Sequence, residues 1–201
     1  NQGPHPDMTL SMFRQSAAAL APFLAECAFG GSRFAHEAPG PAMLAAIRPI
    51  GLAAEEAMYA ATGKVNTHKG ALFAFGIAAA ALGRRIARQE QSDWPALSAD
   101  IRAICAGLEP ELGQGNTAGA RFYRQHGLSG ARGEALSGFA TLTDFALPAY
   151  QQAFAATANR THALRYAFLT LLAHNGDTNV VKRGGIEALD WLQGRARQLL
   201  A

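Results

Sequence analysis

The sequence predicts an all-α fold, a single compact multi-helix domain over residues 1–201, built around a central buried helix at about residues 69–88. Three observations predict it. The chain has 201 residues, of which 49% are hydrophobic and 16% charged, which suits one domain with a sizeable core. Alanine is abundant and β-branched residues are few, which favours helix. No segment shows the sustained period-two alternation of a half-buried strand.

Apolar residues at helical spacing, bounded by capping and helix-breaking residues, define each predicted helix. Gly30-Gly31-Ser32 is expected to end the first helix, and Pro49 to kink or interrupt the second. The third is apolar on all sides, which is typical of a buried helix. The Gly-rich stretch 127–138 and the polar stretch 175–185 are expected to be loops. The predicted helices cover about 11–28, 42–61, 69–88, 92–107, 116–126, 144–156, 161–174 and 186–200.

Charge, cysteine usage and hydropathy exclude several classes of function. The net charge is +3, and no Lys/Arg run exceeds two residues, so a nucleic-acid-binding patch is not indicated. A few local cations suit an anionic small molecule better. Cys27 and Cys105 form neither a disulfide framework nor a metal-ligand spacing, and buried thiols in a reducing cytoplasm are the simpler interpretation. No run of 18 apolar residues occurs, so no membrane span is predicted.

The first polar motif, Val65-Asn66-Thr67-His68-Lys69-Gly70, lies at the entry to the predicted central helix. Free N–H groups and the positive end of the dipole at a helix N-terminus suit phosphate. The structural alternative is a capping loop with a solvated lysine. Lys69 in the first turn opposes the helix dipole, which a pure cap would avoid, so binding is favoured.

The second polar motif covers residues 175–185 and contains Asp177-Thr178-Asn179 and Lys182-Arg183-Gly184-Gly185. An Asp and an Asn two positions apart can hold Mg²⁺ together with substrate phosphates, and the two cations can bind phosphate directly. An Asx-turn between two helices is an equally good interpretation.

The middle motif, Arg132-Gly133-Glu134, offers a general base and a phosphate-binding cation, although a surface loop ion pair is the more common outcome. One of Glu55 and Glu56 is expected near the first polar motif, and the other on a solvated helix face. Four histidines are expected to be caps or surface residues. They are His36, His126, His162 and His174.

Four stretches of the chain, in order, resemble the triphosphoribosyl-dephospho-coenzyme A synthase family. They are residues 62–73 (TG–VNTHKGALF), residues 177–185 (DTNVVKRGG), residues 130–135 (GARGEA) and residues 1–8, which end in His-x-Asp-Met. The resemblance implies that the ribose 2′-hydroxyl of 3′-dephospho-coenzyme A attacks C1′ of the ATP ribose and adenine leaves. The product would be the prosthetic-group precursor for the acyl carrier protein of citrate lyase or malonate decarboxylase, and a downstream holo-carrier transferase would attach it.

The residues suited to this chemistry have three expected roles. Glu134 and Asp177 are the candidates to deprotonate the hydroxyl and to hold Mg²⁺, and His68 to donate a proton or hydrogen bond to the departing adenine. The Mg²⁺ ligand candidates are Asp177, Asn179 and Asp7. The candidates for substrate and phosphate binding are Asn66, Thr67, Lys69, Gly70, Arg132, Asn179, Lys182, Arg183, Gly184, Gly185 and His5.

Two departures from the family pattern bear on these expectations. Lys64 stands where the family usually has glycine, so it is strained if that position has positive φ. The family usually carries a Pro-Lys-Pro-Gly-like segment before the point where this sequence starts, so a natural N-terminal segment is expected to be absent. A Mg²⁺-dependent nucleotide hydrolase and an inactive ATP-binding helical module are the alternative functions. The apolar composition leaves room for a homodimer face, and the expected location is the cytoplasm.

Overall fold

Helices make up the architecture of the computed structural model, which describes residues 7–116 and 118–201. Those residues include no β-strand, which confirms the all-α prediction. His5, a predicted binding residue, lies outside the described residues. The elements are α1 (Leu10–Ser32), α2 (Pro41–Ala61), α3 (Lys69–Ala87), α4 (Trp94–Cys105), a 3₁₀ helix (Ala106–Glu111), α5 (Ala118–His126), α6 (Gly130–Leu136), a π-helix (Thr141–Ala146), α7 (Leu147–Thr157), α8 (Arg160–His174) and α9 (Thr178–Leu200).

The chain falls into two compact units, one ending at Gly107 and one covering Leu108–Ala201. Each unit is described by itself below. That the two form a single domain stays a prediction.

In the first unit, α3 packs against α1, α2 and α4, so the predicted central helix is indeed central there. Its burial is one-sided, however: Phe75 and Ile86 are 62% and 64% exposed, so the expectation of burial all round is wrong. The helix α2 continues through Pro49, and the predicted interruption does not occur. The core cluster between α1, α2 and α3 contains Leu20, Ala54, Met58 and Leu72.

Two glycines let the backbones of α1 and α3 touch. A Cβ on Gly31 would lie 1.9 Å from the carbonyl oxygen of Ala80, and a Cβ on Gly83 would lie 2.0 Å from that of Ala28. No side chain fits between backbones at that separation. α1 ends at Ser32, within the predicted stop Gly30-Gly31-Ser32 but beyond the predicted last residue, Ala28, so Gly31 is still helical and serves helix packing.

Arginines tie the C-terminal end of α3 to its surroundings. The buried Arg84 donates two hydrogen bonds to the carbonyl oxygen of Glu37, at 2.9 and 2.6 Å. Arg85 donates to Asp100 Oδ2 at 3.0 Å. Among the described residues α3 is also the helix long and apolar enough to cross a membrane by length and composition, but a protein's core helix passes the same test. These packed arginines and the contacts with three neighbouring helices fit the core-helix interpretation.

In the second unit, α8 packs against α7, α9 and the π-helix. Two predicted loops are wrong here. The stretch 127–138 contains α6, and the polar stretch 175–185 is a loop only up to Asp177, which caps α9. Gly185, with φ 77° and ψ 179°, breaks the regular backbone of α9 after residues 178–184. The buried apolar residues of the second unit include Ala135, Ala163, Ala173, Val181 and Leu189.

Candidate functional site

The loop into the first polar motif turns through two consecutive left-handed residues. Gly63 has φ 61° and Lys64 has φ 70°. The Lys64 N–H donates to the Tyr59 carbonyl oxygen at 2.8 Å, which closes the end of α2. Glycine adopts this conformation freely and lysine does not. The position where the family usually has glycine is therefore one of positive φ, and Lys64 is strained as predicted for that case.

The polar side chains of Thr67 and His68 point toward α1. Thr67 Oγ1 donates to Ser16 Oγ at 2.8 Å, and His68 Nδ1 also lies 2.8 Å from Ser16 Oγ. The His68 N–H donates to Met58 Sδ at 3.3 Å, and the Phe13 ring meets the imidazole edge-on at 4.9 Å. Ser16 is fully buried. Both motif residues are thus held by a hydroxyl that is 52 residues away from His68 in sequence.

Asn66 and Lys69 have partners of their own. Asn66 Oδ1 accepts from the Lys69 N–H at 3.1 Å and so occupies one free donor at the start of α3. The Lys69 ammonium pairs with the Glu55 carboxylate of α2, as expected for one of the two glutamates. The N–H groups of Gly70 and Ala71 have no intrahelical acceptor by their position in the first turn. This end of α3 therefore presents two backbone donors beside a half-exposed lysine.

The middle motif forms α6 and lies against the start of α9. Gly130 has φ 54°, and a Cβ there would lie 3.3 Å from Thr178 Cγ2. The Glu134 carboxylate accepts from Thr141 Oγ1 at 2.5 Å and from the Thr141 N–H at 3.3 Å, at the start of the π-helix. Arg132 donates to the Glu111 carbonyl oxygen at 3.3 Å. The structure therefore brings the middle and second polar motifs together, while Glu134 already holds two hydrogen bonds.

In the second polar motif, Asp177 caps α9. Its Oδ1 accepts from the N–H groups of Asn179 and Val180, at 2.8 and 3.3 Å. Lys182 and Arg183 are exposed on the segment that precedes the break at Gly185. The motif thus combines a carboxylate, two cations and a backbone break within nine residues of chain, 177–185.

His174 was expected to be a cap or surface residue, and its side chain is more defined than that. The ring stacks on Phe145 of the π-helix at 4.1 Å, and Nδ1 lies 2.9 Å from the Thr170 carbonyl oxygen. A carbonyl oxygen only accepts, so Nδ1 is the donor of this bond, and in a neutral ring Nε2 would be the acceptor. The chain then enters the second polar motif at Asn175. Nothing in the local sequence indicates this orientation, because Phe145 is distant along the chain.

The first polar motif belongs to the first unit, and the middle and second polar motifs belong to the second. Among the described residues, those predicted in the first motif lie at the start of α3 or in the loop before it, and those of the middle motif lie in α6. Those of the second motif run from the N-cap of α9 to the break at Gly185. Asp7, a predicted Mg²⁺ ligand, is exposed before α1. Sequence reasoning missed Ser16 and Thr141, since both lie outside the three motifs and a single hydroxyl residue forms no recognisable pattern.

The geometry can be compared with known proteins. The family model described as "ATP:dephospho-CoA triphosphoribosyl transferase" matches residues 1–201. A relative from Pectobacterium carotovorum, "Probable 2-(5''-triphosphoribosyl)-3'-dephosphocoenzyme-A synthase", is 45% identical over 204 residues, covering 100% of this chain and 67% of the relative. Relatives from Pectobacterium atrosepticum and Klebsiella pneumoniae, named as 2-(5''-triphosphoribosyl)-3'-dephosphocoenzyme-A synthases, are 45% and 39% identical, each over 100% of this chain and 68% of the relative. No solved structure matches.

The helical scaffold and these matches define the class of protein as a transferase. The chain belongs to the ATP:dephospho-CoA triphosphoribosyl transferase family, which confirms the predicted resemblance and enzyme class. It spans about two thirds of the length of the curated relatives cited above.

Proposed function

We propose that the chain transfers the 5-triphosphoribosyl group of ATP to the 2′-hydroxyl of 3′-dephospho-coenzyme A and releases adenine. The observation that carries this proposal is the family match over residues 1–201, which includes all three polar motifs. The bond from the acceptor oxygen to C1′ forms as the bond from C1′ to N9 breaks. The hydroxyl proton passes to a base, and the adenine that leaves with the bonding electron pair gains a proton.

Glu134 is the proposed base for the acceptor hydroxyl. Its two carboxylate oxygens have about four acceptor positions, and Thr141 fills two of them, so acceptor capacity remains. The Thr141 bonds hold the carboxylate in one orientation, as a base must be held. His174, whose Nδ1 is held by the Thr170 carbonyl oxygen, is the second candidate base of this unit through Nε2.

Phosphate binding is proposed for the cations of the first and second polar motifs. Lys69 lies beside the free N–H groups of Gly70 and Ala71, an arrangement that favours an anion. Lys182 and Arg183 are exposed, so a triphosphate can reach them. His68 is the proposed hydrogen-bond donor to the leaving adenine.

Mg²⁺ is proposed as the cofactor, and the chain's donors fit it. Asp177 Oδ1 is used in capping α9, while Oδ2 has no partner among the described residues. Those residues include no cluster of three or more His, Cys, Asp or Glu that could hold a metal. Mg²⁺ is commonly held by one or two carboxylates together with substrate phosphates and water, which suits Asp177 and Asn179. When bound, it would neutralise charge on the triphosphate.

Adenine release in the presence and absence of 3′-dephospho-coenzyme A tests the proposed reaction. Release that depends on the acceptor supports transfer. Formation of ADP would instead support the nucleotide hydrolase, and ATP binding without turnover would support the inactive binding module. Glu134→Gln should lower kcat about 100-fold or more, as expected for loss of a general base. His174→Gln tests the second candidate base in the same way. Full turnover in Glu134→Gln would show that Glu134 is not the base.

A pair of variants tests the role of Lys69 in triphosphate binding. Lys69→Ala should weaken ATP binding about 10-fold, a loss typical of a charge-assisted hydrogen bond. Glu55→Gln removes the competing carboxylate and should leave ATP affinity unchanged or raise it. Equal weakening by both variants would show that the ion pair only supports the loop. Unchanged affinity in Lys69→Ala would remove this lysine from the site.

The product is proposed to serve as prosthetic-group precursor for the acyl carrier protein of citrate lyase or malonate decarboxylase, through a holo-carrier transferase. Incubation of the purified product with each apo-carrier protein and its transferase tests this proposal. Labelling of one carrier protein would identify the enzyme that uses the product, and labelling of neither would refute the proposed role of the product.

A further inference from the structure

The contact between α1 and the first polar motif is a chain of two hydroxyls that ends on an imidazole. Thr67 Oγ1, Ser16 Oγ and His68 Nδ1 lie 2.8 Å apart at each step, and Thr67 Oγ1 also lies 3.2 Å from Nδ1. Ser16 is 0% exposed, so water does not complete its hydrogen bonding. Its two partners, Thr67 and His68, must therefore take both its donor and its acceptor roles.

The direction of this chain determines the histidine tautomer. When Thr67 donates to Ser16 and Ser16 donates to His68 Nδ1, each hydroxyl proton has an acceptor within the cluster. In the opposite direction Nδ1–H donates to Ser16, Ser16 donates to Thr67, and the Thr67 proton has no acceptor among the described residues. The first arrangement gives both hydroxyl protons an acceptor within the cluster, and in it Nδ1 accepts and Nε2 carries the proton.

We propose that Ser16 is a positioning residue that holds His68 in the Nε2–H tautomer. The Phe13 ring, edge-on at 4.9 Å, restricts the imidazole from another side, and the bond from the backbone N–H of His68 to Met58 Sδ fixes the backbone at this residue. The Nε2–H group is then ready to donate to a nitrogen of the leaving adenine. The catalytic part of this inference rests on the proposed function; the tautomer itself does not.

Nitrogen-15 NMR of the full chain labelled at histidine tests the tautomer at about pH 8, where an ordinary imidazole is neutral. The wild-type protein should show an unprotonated Nδ1 and a protonated Nε2 for His68, assigned with a His68→Gln variant. Ser16→Ala with Thr67→Val removes both hydroxyls, and the two nitrogen shifts should then average between tautomers as in free histidine. A protonated Nδ1 in the wild type, or unchanged shifts in the double variant, would overturn the proposal.

Steady-state kinetics tests the consequence for catalysis. Ser16→Ala should lower kcat about 10- to 100-fold, the range found when partners that orient a functional histidine are removed, and leave the KM for ATP within about two-fold. Ser11→Ala, an exposed serine on the same helix, is the matched control and should keep wild-type kcat.

The two readouts separate this inference from the proposed function. A wild-type chain that releases no adenine would refute the proposed function, while the NMR result would still decide the tautomer. A confirmed tautomer with unchanged kcat in Ser16→Ala would refute the positioning role. Loss of the folded circular dichroism spectrum in Ser16→Ala would mean that the hydroxyl is required for folding, and would overturn the positioning role as well.

Discussion

The backbone contact between α1 and α3 predicts opposite effects for the same substitution at two glycines. Gly83→Ala places a Cβ 2.0 Å from the Ala28 carbonyl oxygen, whereas a Cβ on Gly51 of α2 has nothing within 4 Å. A carbon and an oxygen in contact lie more than about 3 Å apart, so the helices must separate by roughly 1 Å.

The two substitutions share the gain in helix propensity, about 1 kcal/mol, from replacing glycine with alanine inside a helix. At Gly51 nothing opposes that gain, so we expect a stabilisation of about 0.5–1 kcal/mol. At Gly83 overpacking of the core, about 1–3 kcal/mol or more, opposes it. The free energy of unfolding of the two variants should therefore differ by about 1–3 kcal/mol, with Gly83→Ala the less stable.

Thermal unfolding followed by circular dichroism measures this difference, which corresponds to about 2–4 °C in Tm per kcal/mol for a chain of this size. Gly31→Ala should resemble Gly83→Ala. The double variant should be less destabilised than the sum, because helices already moved apart accommodate the second methyl group. A Gly83→Ala variant as stable as Gly51→Ala would refute the close backbone contact.

The remaining predictions concern backbone strain and a buried thiol. Gly185→Ala, at φ 77° and ψ 179°, should lower stability by about 1–3 kcal/mol and weaken ATP binding, measured by thermal unfolding and calorimetry, while Gly194→Ala in the same helix should do neither. Lys64→Gly should raise Tm by about 2–4 °C through relief of about 1 kcal/mol of strain at φ 70°, whereas Lys64→Ala, which keeps the strain, should not. Burial raises the pKa of the Cys105 thiol from 9.0 to about 12. Its contribution to stability is complete below about pH 9 and is lost as the pH rises toward 12, so the free energy of unfolding should fall over that window, and less in Cys105→Ala.

The helices could be predicted because their apolar periodicity and caps are local. Thr9, a residue type that favours the N-cap position, caps α1, and its side chain accepts from the Met12 N–H. The errors occur where tertiary packing overrides local preference. The stretch 127–138, predicted to be a loop, is partly helical and begins its helix where Gly130 meets Thr178.

In the candidate site too, local features could be predicted from the sequence and tertiary contacts could not. The polar residues of the three motifs could be identified from the sequence because they are unusual in an apolar chain. Their partners could not, since Ser16 and Thr141 are ordinary hydroxyl residues whose roles depend on contacts with His68 and Glu134. Glu55 was only one of two equivalent glutamates until the structure showed its ion pair.

The glycine contact between α1 and α3 also determines how far a small rotation of α3 would displace the N-terminal end of that helix. Residue 80 lies 12 positions beyond His68, roughly 18 Å along the helix at 1.5 Å per residue. With that contact as a pivot, a tilt of about 3° would move the start of α3 by roughly 1 Å relative to α1, enough to break the 2.8 Å bond from Ser16 to His68. The close glycine contact therefore fixes the angle between α1 and α3, and the alignment of His68 with Ser16 depends on that angle.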